Sequence, residues 1–145
     1  MRGEAATSPA CKLLTPEQVS TISGLKVTAM SGLPTQGVAP SAVSESCTWF
    51  LDSTEIQASL VVQFTVFPTP PADVLAYYPT VVQQGFAKEV PDLGDYSKIS
   101  SAVLDTIDGR AEIHSTLRLH YPQATSEDQA KNVAFMRLLI VGIAQ

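Results

Sequence analysis

The chain has 145 residues, 45% of them apolar, and a net charge of -5. That is the size of a single domain with a real core, which argues against disorder and against a string of domains. Its nine basic residues are scattered along an acidic chain, so neither nucleic acid nor an anionic membrane surface is expected as a partner; both call for clustered Lys and Arg.

Residues 1–10 are small and polar and read as a flexible tail ahead of one domain, 11–145. They contain no hydrophobic signal core, which predicts either a cytosolic protein or a mature domain whose export signal has been removed. The first helix is expected at "TPEQ". Thr15 is a natural N-cap, Pro16 fits the first helical position, Gln18 closes a capping box, and Gly24 suits a left-handed stop. A short strand is predicted over 25–30. Residues 31–46 carry two Gly, two Pro and four Ser and read as a long loop.

"CTWFL" (47–51) and "EIQASLVVQFTVF" (55–67) predict a hairpin around Asp52-Ser53-Thr54. In the second strand Ile56, Ala58, Leu60, Val62, Phe64 and Val66 share the core face. Residues 68–90 have a helical pattern that Pro79 should kink or divide. After a turn at 91–95, residues 97–107 and 110–121 flank Asp108-Gly109, a hairpin signal. Ala111, Ile113, Ser115, Leu117, Leu119 and Tyr121 fall on one face. Glu112, His114, Thr116, Arg118 and His120 fall on the other. The last helix is expected to open at Ser126, with Gln129 closing a second capping box and Ala130, Val133, Ala134, Leu138 and Val141 as its apolar stripe. Its run "LLIVGIA" (138–144) is the longest apolar stretch, far short of the ~20 residues of a spanning helix. The order of elements gives an α+β domain, a sheet with one apolar face covered by helices.

Cys11 has several conceivable roles. "ATSPAC" lacks the apolar run that precedes a lipid-bearing cysteine. A nucleophilic thiolate needs a base, and no motif links Cys11 to either histidine. A structural zinc site calls for four well-spaced ligands; His114 and His120, about 20 Å apart along one strand face, are too distant to share an ion and read as surface residues. No metal and no cofactor is therefore expected. Cys11 and Cys47 fit a disulfide tying the N-terminal segment to the sheet, worth roughly 3.5–4 kcal/mol by loop closure. The alternative is two buried thiols in a cytosolic protein.

"CKLLTPEQVSTISG", "CTW" at 47–49 and "VPDLGDYSKI" at 90–99 together resemble a group of small secreted bacterial proteins and lipoproteins of unknown function. The resemblance spans nearly all of 11–145. It implies a fold similar to PsbP-like domains, a curved antiparallel sheet of about five or six strands flanked by helices. It also implies export and the Cys11–Cys47 bond, and it brings no catalytic residues. The Leu93-Gly94-Asp95 turn reads as structural. The carboxylates Asp92, Asp95, Asp105 and Asp108 are assigned to turns, where Asp is expected.

These readings predict a non-enzymatic binding protein, periplasmic or secreted, for a protein or small ligand. Trp49, His114, Arg118 and His120 are its candidate binding residues, and none is assigned as catalytic. An inhibitor or immunity-type protein that binds a basic partner is the first alternative. A hydrolytic enzyme using His114 or His120 is the second, to be favoured by a deep pocket beside either histidine.

Overall fold

The computed structural model describes residues 9–38 and 42–144. It is an α+β fold built on one open, fully antiparallel sheet of seven strands, in the order β1-β2-β3-β7-β6-β5-β4. In chain order a 3-10 turn (Pro9–Lys12) and helix α1 (Pro16–Ser23) precede β1 (Val27–Val38), β2 (Ala42–Leu51) and β3 (Ser59–Val66). Helix α2 (Ala72–Gln83) leads into β4 (Lys88–Glu89), β5 (Tyr96–Ser100), β6 (Val103–Asp108) and β7 (Ala111–Arg118). Helix α3 (Ser126–Ala144) closes the described chain.

Helix α1 starts and stops as its sequence dictates. The Thr15 hydroxyl accepts from the Gln18 amide, the Gln18 side chain accepts from the Thr15 amide, and Gly24 takes the left-handed conformation at φ 80°. The sheet's inner face meets the 3-10 turn, α1 and α3 over a core that includes Trp49, Leu60, Val62, Ile113, Phe135 and Leu139. Cys11 on the turn is bonded to Cys47 on β2, with Cα atoms 5.1 Å apart, and both are buried. The tail expected over 1–10 lies mostly outside the described residues. Its last two residues are already part of the 3-10 turn, and Ala10 is buried in the core.

The stretch 31–46 is not a loop. Its described parts extend β1 to Val38 and begin β2 at Ala42, and the two strands pair from Val27↔Leu51 to Val38↔Ala42. Gly and Pro misled because β1 is an edge strand, where a missing N–H is tolerated; the register shifts between Leu33 and Gln36, around Pro34. The stretch 97–107 is two strands, broken at Ser101, which has φ 49°, and Lys88–Glu89, inside the stretch expected to be helical, is a further short strand, so the sheet has seven strands rather than five or six. Strand β3 begins at Ser59, so residues 52–58 form the connection from β2. Leu60, Val62 and Phe64 face the core as expected. Helix α2 is shorter than 68–90 and runs through Pro79. The turn at 91–95 holds Gly94 at φ 63°, where a Cβ would lie 2.8 Å from the Ile107 carbonyl oxygen.

Helix α3 differs most from its sequence pattern. Its cap is Thr125, one residue earlier than expected: the Thr125 hydroxyl accepts from the Asp128 amide and Asp128 accepts from the Thr125 amide. Gln129 instead donates to the Ser101 carbonyl. The buried face is Asp128, Asn132, Phe135, Met136 and Leu139, whereas Ala130 and Val141 are exposed. Asn132 explains this face. Its amide nitrogen donates to the Ala102 and Ser115 carbonyls, and its oxygen accepts from the Ser115 hydroxyl. A fully bonded polar side chain locks the helix onto the β5–β6 turn and β7; of the expected stripe, Val133 and Leu138 pack against the core, while Ala130 and Val141 are exposed.

Candidate functional site

Two histidine–aspartate pairs are the main polar constellations of the molecule, and they occupy opposite faces. The first lies on the outer face, where α2 covers one end of the sheet. Adjacent strands place Lys98, Asp105 and His114 in one cross-strand row. Asp105 Oδ1 is 2.5 Å from His114 Nδ1, and Asp105 Oδ2 accepts from Lys98 Nζ at 2.6 Å. His114 Nε2 is 3.5 Å from Glu112 Oε2, which accepts from the Tyr78 hydroxyl of α2 at 2.7 Å. Lys98 Nζ also stands 4.5 Å from the centre of the Tyr78 ring.

Charge and burial set the protonation of this cluster. Burial pushes the His114 imidazole down, but its hydrogen bond to Asp105 and the charges of Asp105 and Glu112 prevail, so it titrates above the usual imidazole range. Burial pushes Asp105 up, and the bonds from His114 and Lys98 bring it below the usual carboxylate range. Burial and Glu112 push the Tyr78 phenol up, so it keeps its proton and donates. Asp105 thus lies within β6 and is ion-paired, not a turn residue.

The second pair lines a cleft. His120 follows β7 and is not part of it, since the strand ends at Arg118. Its Nδ1 is 2.7 Å from Asp128 Oδ2, at the first turn of α3. The Asp128 side chain is only 1% exposed, whereas His120 is 49% exposed. Burial would raise the Asp128 carboxyl, yet the hydrogen bonds from His120 and Thr125 hold it below the usual range. An ionised Asp128 accepts the Nδ1 proton and leaves Nε2 of His120 as the group available to a ligand. The cleft beside it has a volume of about 480 Å³, within the range of small-molecule sites. It is walled by the end of α1 (Ser23, Gly24, Leu25), by residues 52–55, and by Leu119, His120 and Lys131. Lys131 Nζ donates to the Ser23 carbonyl at 3.1 Å and so ties α3 to the end of α1.

The structure places the four candidate binding residues in four different settings. Trp49 is fully buried in the core and offers no surface to a ligand, which corrects its assignment: its position on β2 alternates with the outer-face residues Thr48 and Phe50. His114 is tied into the cluster beneath α2 and is not a free surface residue, while His120 borders the cleft. Arg118 is exposed on the outer face opposite Ser59, and among the described residues no hydrogen bond or ion pair joins it to either pair. Sequence reasoning missed Asp105, Asp128, Lys98, Glu112 and Tyr78. The hairpin turn expected at Asp108-Gly109 lies one residue later, and that shift hid the partner of Asp105. The hairpin turn is centred on Gly109-Arg110, so Asp108 pairs with Ala111 and Asp105 with His114; centred one residue earlier, Asp105 would face Glu112.

Among the described residues, no helix is long and apolar enough to cross a membrane, and no group of three His, Cys, Asp or Glu side chains could hold a metal ion. Compared with protein-family models, curated proteins and solved structures, the chain matches none.

Proposed function

We propose that the protein is a non-enzymatic binding domain of the periplasm or of the secreted fraction, and that the cleft beside His120 receives its ligand. The cleft itself carries the reading: it gathers four separate stretches of chain around an imidazole that a buried carboxylate orients and whose Nε2 has no partner among the described residues. Extracytoplasmic residence is supported by the Cys11–Cys47 bond, because such bonds persist in oxidising compartments. Binding is favoured over catalysis because the two cysteines are consumed in that bond and, among the described residues, no hydroxyl is hydrogen-bonded to either imidazole.

The cleft beside His120, the feature expected to favour an enzyme, and the His120–Asp128 geometry together support a second reading, a hydrolytic enzyme. An imidazole held through Nδ1 by an ionised carboxylate is the arrangement a general base uses. One experiment tests both. Histidine ring resonances are followed while a set of neutral, anionic, cationic and zwitterionic small compounds is added. Binding at the cleft moves the His120 signals and leaves His114 in place. No movement of His120 with any compound overturns the binding cleft. Turnover of an ester or amide substrate that is lost in His120→Gln establishes the enzyme instead.

A further inference from the structure

We infer that the His120 cleft takes a small zwitterion, a free amino acid or short peptide with both ends unblocked. The inference rests on the proposed role of the cleft and specifies its ligand. Its walls carry both charge signs, on different elements. The connection between β2 and β3 contributes Asp52 and Glu55, both exposed. Among the described residues neither carboxylate is engaged in an ion pair; the Glu55 contact of this loop runs from its backbone amide to the Ser53 hydroxyl. The segment from β7 into α3 contributes His120 and Lys131.

The two signs are not equally satisfied within the protein. Lys131 spends one N–H on the Ser23 carbonyl and stands 3.8 Å from Glu127 on the exposed side of α3. Among the described residues His120 is bonded through Nδ1 alone, which leaves Nε2 facing away from Asp128. Among the described residues no side-chain partner neutralises Asp52 or Glu55, and both are exposed to solvent. A ligand entering this cleft displaces that water, so each charge it meets must find a partner or be left desolvated. A simple anion would be set against Asp52 and Glu55. A simple cation would be set against Lys131. A neutral compound would leave both signs uncompensated. A compound with an ammonium group and a carboxylate answers all of them, the ammonium on Asp52 and Glu55 and the carboxylate on His120 Nε2 and Lys131. The 480 Å³ volume has room for such a molecule with modest side chains.

The full-length chain, with its disulfide intact, is titrated with alanine and with the dipeptide Ala-Ala, and in parallel with N-acetyl-Ala-Ala and Ala-Ala-amide. Amide resonances of 52–55 and the ring resonances of His120 report binding. The expected result is saturable binding of the free dipeptide, weakened roughly tenfold by blocking either end, as for the loss of one charge-assisted hydrogen bond. Asp52→Asn with Glu55→Gln should abolish the advantage of the free amine, and His120→Gln the advantage of the free carboxylate. Melting curves of these surface variants confirm that they fold. Equal binding of the acetylated or amidated peptide overturns the inference. Movement of the cleft by other compounds and not by alanine or Ala-Ala overturns the ligand class and leaves the cleft as a binding site. Silence with every compound overturns both.

Discussion

Among the described residues the same chemical pair occurs twice, in different settings. At Asp105–His114 the imidazole is 36% exposed, flanked by two carboxylates, and the aspartate is shared with Lys98. At Asp128–His120 the aspartate is the buried member and the imidazole is the exposed one. In the first pair both ring nitrogens have carboxylate neighbours, and the cluster's outward connection is the Tyr78 hydroxyl of α2. It therefore spends its charge on holding a helix to a sheet. In the second pair one nitrogen is fixed and the other, without a partner among the described residues, borders a cleft. A histidine paired with an aspartate is thus no evidence of function on its own. In both pairs the aspartate is the more buried partner, 14% against 36% and 1% against 49% exposed, and what distinguishes them is whether a ring nitrogen remains to be used.

The largest expected effect separates the two regions. The disulfide joins residues 36 positions apart and anchors the turn that precedes α1, whose end walls the cleft. Replacing Cys11 and Cys47 with Ala should lower stability by about 4 kcal/mol. Below the new midpoint, hydrogen exchange should quicken first around Ser23–Lys26, while amides near Asp105 and His114 stay protected. Uniform acceleration across both regions would mean that the cleft and the cluster are one cooperative unit.

The next effect tests the structural role of the outer cluster. Tyr78→Phe removes the donor to the half-buried Glu112 and should cost about 2 kcal/mol, the scale of a hydrogen bond to a charged group. The pH dependence of this cluster has a defined sign. The folded pKa of His114 is raised, so its contribution is complete below the unfolded value of about 6.5 and is lost as pH rises through the folded value. The folded pKa of Asp105 is lowered, so its contribution is present above about 3.9 and is lost as pH falls through the folded value. Chemical denaturation of His114→Gln against the parent should therefore show a larger stability gap at about pH 5.5 than at about pH 9. A gap that grows with pH would contradict the Asp105 pairing.

Much of this frame was legible in the residues. The Thr15-Pro16-Gln18 cap, the Gly24 stop and the alternating core faces of β3 and β7 follow from local rules that no distant contact overrides. The stretch 31–46 was not legible, because Gly and Pro forbid a central strand but not an edge, and edge position is set by the whole sheet. The buried face of α3 was hidden by Asn132 and Asp128, polar residues that enter the interior only because Ser115, Ala102 and His120 await them there. The histidines appeared equivalent because strand alternation puts both on one face. Only the end of β7 at Arg118 turns His120 away toward α3.

Within the second pair, the aspartate should matter more to the fold than the histidine. Asp128 accepts from the Thr125 amide and so completes the cap of α3, as well as orienting His120. Asp128→Ala should cost about 1 kcal/mol, the usual value of an N-terminal cap, seen as a lower melting temperature.

The smallest effect on stability is expected at His120, and it is the most informative for function. Its ring is half exposed, and its one hydrogen bond goes to a carboxylate that also accepts from the Thr125 amide. His120→Gln keeps a side-chain N–H able to donate to Asp128, so the change in stability should stay within about 0.5 kcal/mol. Equilibrium denaturation of His120→Gln beside His114→Gln at about pH 5.5 reads the contrast directly, because His114 is then contributing fully to its cluster. The expected order is a clear loss for His114→Gln and almost none for His120→Gln. If the two variants lose the same stability, the second pair is also part of the scaffold, and the cleft beside it loses its claim to an uncommitted imidazole. If the order holds, an oriented side chain that the fold does not need points to what Nε2 contacts across the cleft rather than to what Nδ1 holds behind it.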